Sequence, residues 1–245
     1  MDVFLAMAGS LGSHAGMNLE YGGEGLAGLS IAQRRTIATM STELNADFAT
    51  FEADERLLDH VHGRTDEPFE PAAPDADAIY VRRAAIDLSS VETMIAMPDA
   101  VLGNTGPVAQ AIGQPIDQAF IGSCAGGSLS DIADAAEILG RRRVAPGVRL
   151  IVTPGSQAIY RAALEAGYLA VLAAAGATVT NSSCGACAGG HLGVLGPAET
   201  CITSSTRNFK GRMGDASARI YMGSPATVAA SAAAGTIADP REMLG

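Results

Sequence analysis

The second half of the chain shows a regular alternation of short apolar runs and longer amphipathic stretches. Short apolar runs bounded by turn residues predict strands, and apolar positions three and four apart predict helices. The predicted strands cover 118–121, 148–152, 177–180, 200–203 and 219–222. The predicted helices cover 129–139 and 156–166, and a third begins at Ser224 with Pro225 at its first position. Because strands separated by helices favour a parallel sheet, this half is predicted to have an α/β fold.

The pattern in the first half of the chain is less regular. After an apolar run over 2–7, Ser30 and Gln33 form a capping-box pattern, which predicts a helix from Ser30 to about Leu44. A second helix is predicted near 54–61.

A polar stretch separates these helices from the regular half. Prolines among acidic residues at 63–77 predict a connector. Strands are predicted at 79–81 and 84–88, and a Pro- and Gly-containing stretch follows at 98–115. We place a domain boundary near residue 100, which gives predicted domains 1–100 and 101–245.

Composition narrows the classes of protein that this chain can belong to. With 245 residues, 48% of them apolar, the chain can build one large or two modest cores. A net charge of −10 argues against nucleic acid as a partner, because such binding needs clustered Lys and Arg. No apolar run reaches the length of a membrane helix, and the first residues lack the basic region of a signal peptide. Four cysteines are too few for a disulfide scaffold, so a reduced cytoplasmic setting is expected.

Three of the cysteines are the strongest candidates for chemistry. Cys184 and Cys187 form a C-x-x-C pair within NSSCGACAGG, and Cys124 lies in IGSCAGGS, directly after a predicted strand. Two thiolates spaced in this way can bind one metal centre, and a third can complete the binding of an iron–sulfur cluster. All three lie in turns rich in Gly, Ser and Asn, where backbone amides can approach sulfur closely.

Other interpretations of these cysteines remain open from spacing alone. A lone C-x-x-C is also typical of a redox pair or of half a zinc site, and free cysteine is often a small buried hydrophobe. Cys201, in ETCITSST, lies in a predicted strand and is expected to be a packed thiol, although it could serve as a fourth ligand.

Several ordered motifs resemble a known family. In the second half these are IGSCAGGSLSDIADAAEIL, VTPGSQAIYRAALEAGYLAVLAAAGATVTNSSCGACAGG and ETCITSSTRNFKGRMG. In the first half they are DVFLAMAGSLG and LEYGGEGLAGLSIAQRRTIATMSTE. Together they resemble the aconitase superfamily, in particular the branch of the large subunits of 3-isopropylmalate dehydratase and homoaconitase. The resemblance covers nearly the whole chain.

The resemblance implies a fold, a cofactor and a reaction. The fold would comprise two aconitase-like α/β domains, each a parallel-type sheet flanked by helices, with the cysteines in the second. The cofactor would be a [4Fe–4S] cluster held by Cys124, Cys184 and Cys187. The reaction would be that of a hydro-lyase on a hydroxy di- or tricarboxylic acid, in which an open iron acts as a Lewis acid on the substrate hydroxyl.

The resemblance also implies three further site residues. Arg207 and Arg212, in TRNFKGR, would bind substrate carboxylates, for which the planar guanidinium fork is suited. Glu43 would lie near the bound hydroxyl or water. Without the family motif, two arginines and a glutamate are more often solvated surface charges. The four histidines match no catalytic histidine of the family, and surface or local packing is expected for each.

The chain departs from the family pattern at positions that matter for the cluster. The usual SCTN is replaced by Ser-Cys-Ala-Gly at 123–126, Asn-Arg-Asn-Phe by Thr-Arg-Asn-Phe at 206–209, and a third asparagine by Thr39. Asparagine amides donate hydrogen bonds to sulfide or water, whereas alanine and glycine have no side-chain donor. A different cluster environment and a different substrate are therefore expected.

The motifs of the family's N-terminal domain and of its swivelling domain have no counterpart in this sequence. We therefore expect a homo- or hetero-oligomer in which a small swivelling-domain subunit and an N-terminal-domain-like chain supply the missing acid and base groups. The alternative is a non-catalytic binding or assembly protein that keeps the aconitase fold, with a cluster, a zinc ion or neither.

Overall fold

The structure, a computed structural model, describes residues 1–243. The strands are β1 (Asn18–Tyr21), β2 (Phe48–Phe51), β3 (Met94–Ala96), β4 (Thr105–Pro107), β5 (Gln118–Ile121), β6 (Arg149–Val152), β7 (Thr178–Val179), β8 (Thr200–Thr203) and β9 (Arg219–Gly223). The α-helices are α1 (Asp2–Ser10), α2 (Ile31–Met40), α3 (Glu55–His62), α4 (Leu129–Leu139), α5 (Gln157–Glu165), α6 (Tyr168–Ala175) and α7 (Pro225–Ala234). Short 3₁₀ turns include Ser41–Leu44, which continues the chain directly from α2.

A seven-stranded sheet organises the second half of the molecule, with the strand order β4-β3-β9-β8-β5-β6-β7. The five strands from β9 to β7 are parallel, and β3 and β4 join antiparallel at one edge. In the middle of the sheet, Phe120 of β5 pairs with Ile151 of β6 on one side and with Thr203 of β8 on the other. The α/β fold predicted from the alternation of strands and helices is confirmed.

Every residue of β5 is buried, because both faces of the sheet are covered. On one face, Ile121 packs in a core with Ile132 of α4 and Val228 of α7. Since successive side chains of a strand point to opposite faces, Phe120 belongs to a separate cluster on the other face. Irregular chain rather than helix covers that second face, and its packing residues include Cys187 and Met213.

Helices α4, α5 and α7 of the second half each begin at a serine cap. Ser128 forms a reciprocal capping box with Asp131 at the start of α4. The Ser156 side chain caps α5, and Ser224 caps α7 immediately before Pro225. Each cap satisfies a backbone N–H that has no partner within the helix, so these boundaries are fixed locally.

The first half forms a smaller layer that packs against the edge of the large sheet. Ser30 and Gln33 form the predicted capping box of α2, and the predicted second helix is α3. Phe4 of α1 and Ile37 of α2 share a buried cluster with Ala125, which follows Cys124. The first half therefore contacts the loop that carries Cys124.

An ion pair ties α2 to the start of α3. Arg34 is buried, and its guanidinium donates to both carboxylate oxygens of Asp54 and to the carbonyls of Leu26 and Leu29. Asp54 also caps α3 by accepting from the backbone of Leu57. These donors hold the pKa of the Asp54 carboxyl at about 2, below its ordinary value.

The strands predicted at 79–81 and 84–88 are wrong, because the structure has no strand in either segment. Ile79 and Val81 are 96% and 90% exposed. Alternation of apolar and polar residues indicates a strand only where a neighbouring strand completes the ladder, and neither segment pairs with one in the described chain. The sequence pattern also did not reveal β1 to β4 or helix α6.

The boundary predicted near residue 100 stays a prediction. The β3–β4 hairpin spans that position, and β3 pairs with β9, so residues on both sides of it belong to the large sheet.

No single helix within residues 1–243 is both long and apolar enough to cross a bilayer. Helices α5 and α6 together meet the length and composition, but they are bent by 83° relative to each other.

We expect Ser128→Ala to lower the free energy of unfolding by about 1 kcal/mol, because it removes the side-chain acceptor at the start of α4. Chemical denaturation followed by circular dichroism measures the change. The exposed residue Gln157, at the first position of α5, offers the control Gln157→Ala, which should change stability much less. Equal stability of Ser128→Ala and the parent would show that the capping box does not stabilise this helix.

Candidate metal and substrate site

The candidate site lies where the loops after β5, β6, β7 and β8 meet. Parallel strands bring their carboxyl ends to one edge of a sheet, which is where ligands bind in open α/β folds. The Ser204 backbone N–H donates to the Phe120 carbonyl, and the Ser204 hydroxyl accepts from the Gly122 N–H at 3.1 Å. Thr153 and Thr180, at the ends of β6 and β7, share a hydroxyl hydrogen bond of 2.7 Å. Strand-end hydroxyls thus join these loops to one another.

The loop that carries Cys124 is tightly packed, although the cysteine itself is exposed. The backbone N–H of Gly155 donates to the Gly127 carbonyl at 2.9 Å, and Thr36 of α2 donates to the Ala125 carbonyl at 2.7 Å. A Cβ atom at Gly127 would lie 2.4 Å from the Ser123 carbonyl oxygen. The Gly155 backbone and the Thr36 hydroxyl therefore hold this loop from two directions, while the Cys124 side chain remains accessible.

The C-x-x-C segment forms a turn in which the two cysteines differ in burial. The Cys187 N–H donates to the Cys184 carbonyl at 3.0 Å, and Cys184 is exposed whereas Cys187 is buried. Gly185 has a φ of +56°, and a Cβ there would lie 2.4 Å from Thr153 Oγ1. Glycine is therefore required at this position both by conformation and by space.

Arg212 lies directly beside the buried cysteine. Its Nη2 is 3.3 Å from Cys187 Sγ, and its guanidinium carbon is 5.6 Å from the ring centroid of Phe209. The Arg212 Nε is buried and has no hydrogen-bond partner among residues 1–243. Such a donor is costly to leave unsatisfied, so this arrangement is suited to an acceptor from outside the chain.

Glu43 and Arg207 form an ion pair across the two halves of the molecule. Arg207 Nε donates to Glu43 Oε1 at 2.8 Å, although the residues are 164 positions apart in sequence. Burial raises the pKa of the Glu43 carboxyl above its ordinary value, and the charges of Arg207 and Arg212 act in the opposite direction. Burial is the larger effect, so Glu43 holds a proton at higher pH than an exposed glutamate would.

The fold therefore brings four of the six predicted site residues into one group. Glu43 pairs with Arg207. Arg212 acts electrostatically on Glu43 and also contacts Cys187. Cys124 and Cys184 lie on the neighbouring loops. Among the residues that the structure describes, no group of three or more His, Cys, Asp or Glu side chains is arranged to hold a metal ion.

Sequence reasoning named Arg212 but missed two other buried polar groups, on Ser182 and Asn208. Within the described chain, the buried side-chain atoms without a hydrogen-bond partner are Ser182 Oγ, Asn208 Oδ1 and Arg212 Nε. All three residues lie in the two segments that carry the C-x-x-C pair and the two arginines. The Asn208 amide also donates to the carbonyls of Met97 and Ile220. A search for polar residues within two positions of each cysteine would have found Ser182.

The remaining cysteine and the histidines lie outside this group. Cys201 is fully buried in β8, and burial raises the pKa of its thiol to about 12, which confirms the expected packed thiol. His191 is exposed, and His14 is buried with its Nδ1 3.0 Å from the Gly12 carbonyl.

Local packing matches one of the departures from the family pattern. A Cβ at Gly126 would lie 2.2 Å from Ser204 Oγ, so the usual asparagine could not occupy this position unless Ser204 moved. Thr206 is buried and Thr39 is half-buried on α2. The absence of a side chain at residue 126 thus leaves the space that Ser204, which follows β8, occupies.

We expect Arg207→Gln to raise the pKa of Glu43 further, because it removes the nearer of the two cations that oppose the effect of burial. Because the pKa of Glu43 is raised in the folded state, its contribution to stability is present below the ordinary pKa of 4.5 and is lost as the pH rises through the folded-state pKa. In Arg207→Gln this loss should therefore extend to higher pH. Carbon-13 NMR titration of the carboxyl, assigned with Glu43→Gln, gives the measurement.

Arg241→Gln is the matched control for this titration, because Arg241 pairs with Asp239 instead. Its Glu43 titration should equal that of the parent. A fall in the Glu43 pKa in Arg207→Gln would contradict the ion pair.

Comparison with known proteins identifies the family of the chain. The profile of the aconitase family (aconitate hydratase) matches residues 1–235. The chain is 55% identical to the 3-isopropylmalate dehydratase large subunit of Mycolicibacterium smegmatis over 99% of this chain and 58% of that protein. It is 39% identical to the probable methanogen homoaconitase large subunit of Methanothermobacter thermautotrophicus over 100% of this chain and 57% of that protein. The chain thus spans somewhat more than half the length of these relatives, and it belongs to the aconitase family.

Proposed function

We propose that this chain is the cluster-bearing part of an aconitase-like hydro-lyase that acts on a hydroxy di- or tricarboxylic acid, with 3-isopropylmalate as the first candidate. The observation that carries the proposal is the convergence of Arg207, Arg212 and Glu43 beside Cys187. The relatives support it, since the M. smegmatis protein is named as a 3-isopropylmalate dehydratase large subunit.

The chemistry of the donor set fits a [4Fe–4S] cluster. Such a cluster with one open iron needs three thiolates, each bound to a different iron. Cys124, after β5, and the turn of Cys184 and Cys187, after β7, would supply these three thiolates. The free donor of Arg212 is also suited to the negative charge and the sulfur acceptors of a cluster.

When bound, the cluster would supply a Lewis-acidic iron that weakens the carbon–oxygen bond of a substrate hydroxyl. The chain's own residues would bind and orient the substrate. Arg207 and Arg212 present guanidinium groups that can hold carboxylates, and a substrate carboxylate would compete with Glu43 for Arg207. Glu43 can hold a proton at its carboxyl oxygens more readily than an exposed glutamate can, because burial raises its pKa.

The proposal includes partners and a setting. One proposed partner is an N-terminal-domain-like chain, as the family resemblance implies. A small swivelling-domain subunit would supply the further acid and base groups. A reducing cytoplasm is proposed, since all four cysteines are free thiols and a cluster requires them reduced.

Anaerobic purification tests the cofactor. We expect a brown protein with about three to four irons per chain and broad absorption near ~400 nm, as thiolate-bound clusters show. Cys124→Ser, Cys184→Ser and Cys187→Ser should each lose the iron and the colour. Cys201→Ser is the matched control and should keep both, because Cys201 packs inside the sheet.

Two outcomes would contradict this assignment. Loss of iron from Cys201→Ser with retention in Cys124→Ser would show that the ligands are wrong. A colourless protein that contains only zinc would favour the alternative, a non-catalytic binding or assembly protein that keeps the aconitase fold.

Arg207→Lys tests the substrate site in the complex assembled with both partners. Lysine keeps the charge but loses the planar fork, so kcat/KM for 3-isopropylmalate should fall roughly 10- to 100-fold, which is about 1.4–3 kcal/mol of transition-state binding. The cluster absorption should not change. Arg241→Lys, in a separate ion pair, should leave the rate unaltered. Full activity of Arg207→Lys and Arg212→Lys would exclude these residues from substrate binding.

A further inference from the structure

The loop that carries Cys124 is held by a side chain from the neighbouring strand end. Ser204, which follows β8, is fully buried, and its hydroxyl accepts a hydrogen bond from the Gly122 N–H at 3.1 Å. The same hydroxyl donates to the Gly126 carbonyl at 3.4 Å, which is a longer and therefore weaker bond. One hydroxyl thus contacts the loop on both sides of Cys124.

The backbone of Ser204 fixes the position of its hydroxyl relative to the sheet. Its N–H donates to the carbonyl of Phe120 at 2.9 Å, and Phe120 lies in β5, whose end leads into the Cys124 loop. Strand β8 ends at Thr203 and pairs in parallel with β5. The two buried strands therefore set the position of the hydroxyl, which can fix a loop that lies outside the helices and strands.

Close packing at Gly126 allows the serine to reach both sides of the loop. A Cβ atom at Gly126 would lie 2.2 Å from Ser204 Oγ and 2.6 Å from the Ser204 carbonyl oxygen. A residue with a side chain would therefore push the loop and the segment of Ser204 apart. Glycine at 126 lets the two backbones approach closely enough for the hydroxyl to span residues 122–126.

We propose that Ser204 is a positioning residue for Cys124: its hydroxyl holds the loop of residues 122–126 in the conformation that presents this cysteine to the cluster. The inference rests on the proposed cluster, and it goes beyond the three thiolates by naming the group that holds one of them in place. Because Cys124 is exposed, the conformation of its loop, rather than packing around its side chain, determines where the thiolate points.

The physical basis of this role is preorganisation of the loop. Gly122 is buried, so its N–H is costly to leave without an acceptor when the serine hydroxyl is removed. The loop would then populate other conformations, in which this N–H finds another acceptor. A ligand binds more weakly in proportion to the fraction of chains that hold the competent conformation. Loss of the hydroxyl should therefore weaken cluster retention while all three thiolates remain.

The experiment compares Ser204→Ala with the parent chain after anaerobic reconstitution with iron and sulfide. In an excess of an iron chelator, the absorption near ~400 nm should decay about fivefold faster or more, which corresponds to the lower end of the cost of an unsatisfied buried donor. Hydrogen exchange of the iron-free chain gives an independent measurement. Peptides that contain residues 120–127 should exchange faster in Ser204→Ala, because the Gly122 amide loses its acceptor.

Ser205→Ala is the matched control for this comparison. Ser205 is also buried, and in the described chain its hydroxyl bonds with Thr203 Oγ1 at 2.9 Å rather than with the Cys124 loop. Both alanine variants should melt at a similarly lower temperature, since each loses one buried hydroxyl. Only Ser204→Ala should lose iron faster than the parent. Ser204→Thr keeps the hydroxyl and should show the parent rate of iron loss.

Equal rates of iron loss in Ser204→Ala and the parent would overturn the inference, and so would unchanged hydrogen exchange over residues 120–127. Equally fast loss from Ser205→Ala would also overturn it, because the effect would then follow from stability alone. The same holds if Ser204→Thr loses iron as fast as Ser204→Ala. In each of these cases the parent holds iron, so the proposed cluster stands. A parent chain that binds no iron contradicts the cluster itself, and with it this inference.

Discussion

A parallel sheet is stable only when both of its faces are removed from water, and this requirement explains where the candidate site lies. Helices α4 and α7 cover one face of the large sheet, while the chain that contains Cys187 and Met213 covers the other. The segment with the C-x-x-C pair is therefore part of the core. The packing of this face of the sheet and the position of Cys187 therefore depend on the same contacts.

The two-stranded sheet of β1 and β2 meets this requirement on one face only. Leu19, Tyr21 and Phe51 pack against the cluster of α1 and α2, whereas Phe48 is exposed on the other face. Within the described chain, the large sheet is therefore covered on both faces and the small sheet on one.

Two opposing effects, burial and the charges of neighbouring arginines, act on the pKa of Glu43, and burial is the larger. Burial favours the protonated form of Glu43, and the neighbouring guanidinium of Arg207 favours the ionised form. Arg212 adds a second cation, which reaches Cys187 as well. The protonation of Glu43 therefore depends on its burial and on whether its ion pair with Arg207 is intact.

Elements with local signals could be predicted from the sequence. Apolar periods predicted helix α4 and the five parallel strands of the large sheet, and capping signals predicted the helices that begin after Ser30 and Ser224, because a helix boundary is decided by a few adjacent residues. The family motifs named the six site residues, and burial of Cys201 followed from its place in a strand.

Strand pairing and contacts between residues far apart in sequence appear only in the tertiary structure. The predicted strands at 79–81 and 84–88 do not form, since a strand needs a neighbour that local alternation cannot supply. The ion pair between Glu43 and Arg207 joins residues 164 positions apart, and the contact of Arg212 with Cys187 depends on how irregular chain covers the sheet. Sequence determines local conformation, but side chains far apart in the chain become neighbours only through the packing of the layers that carry them.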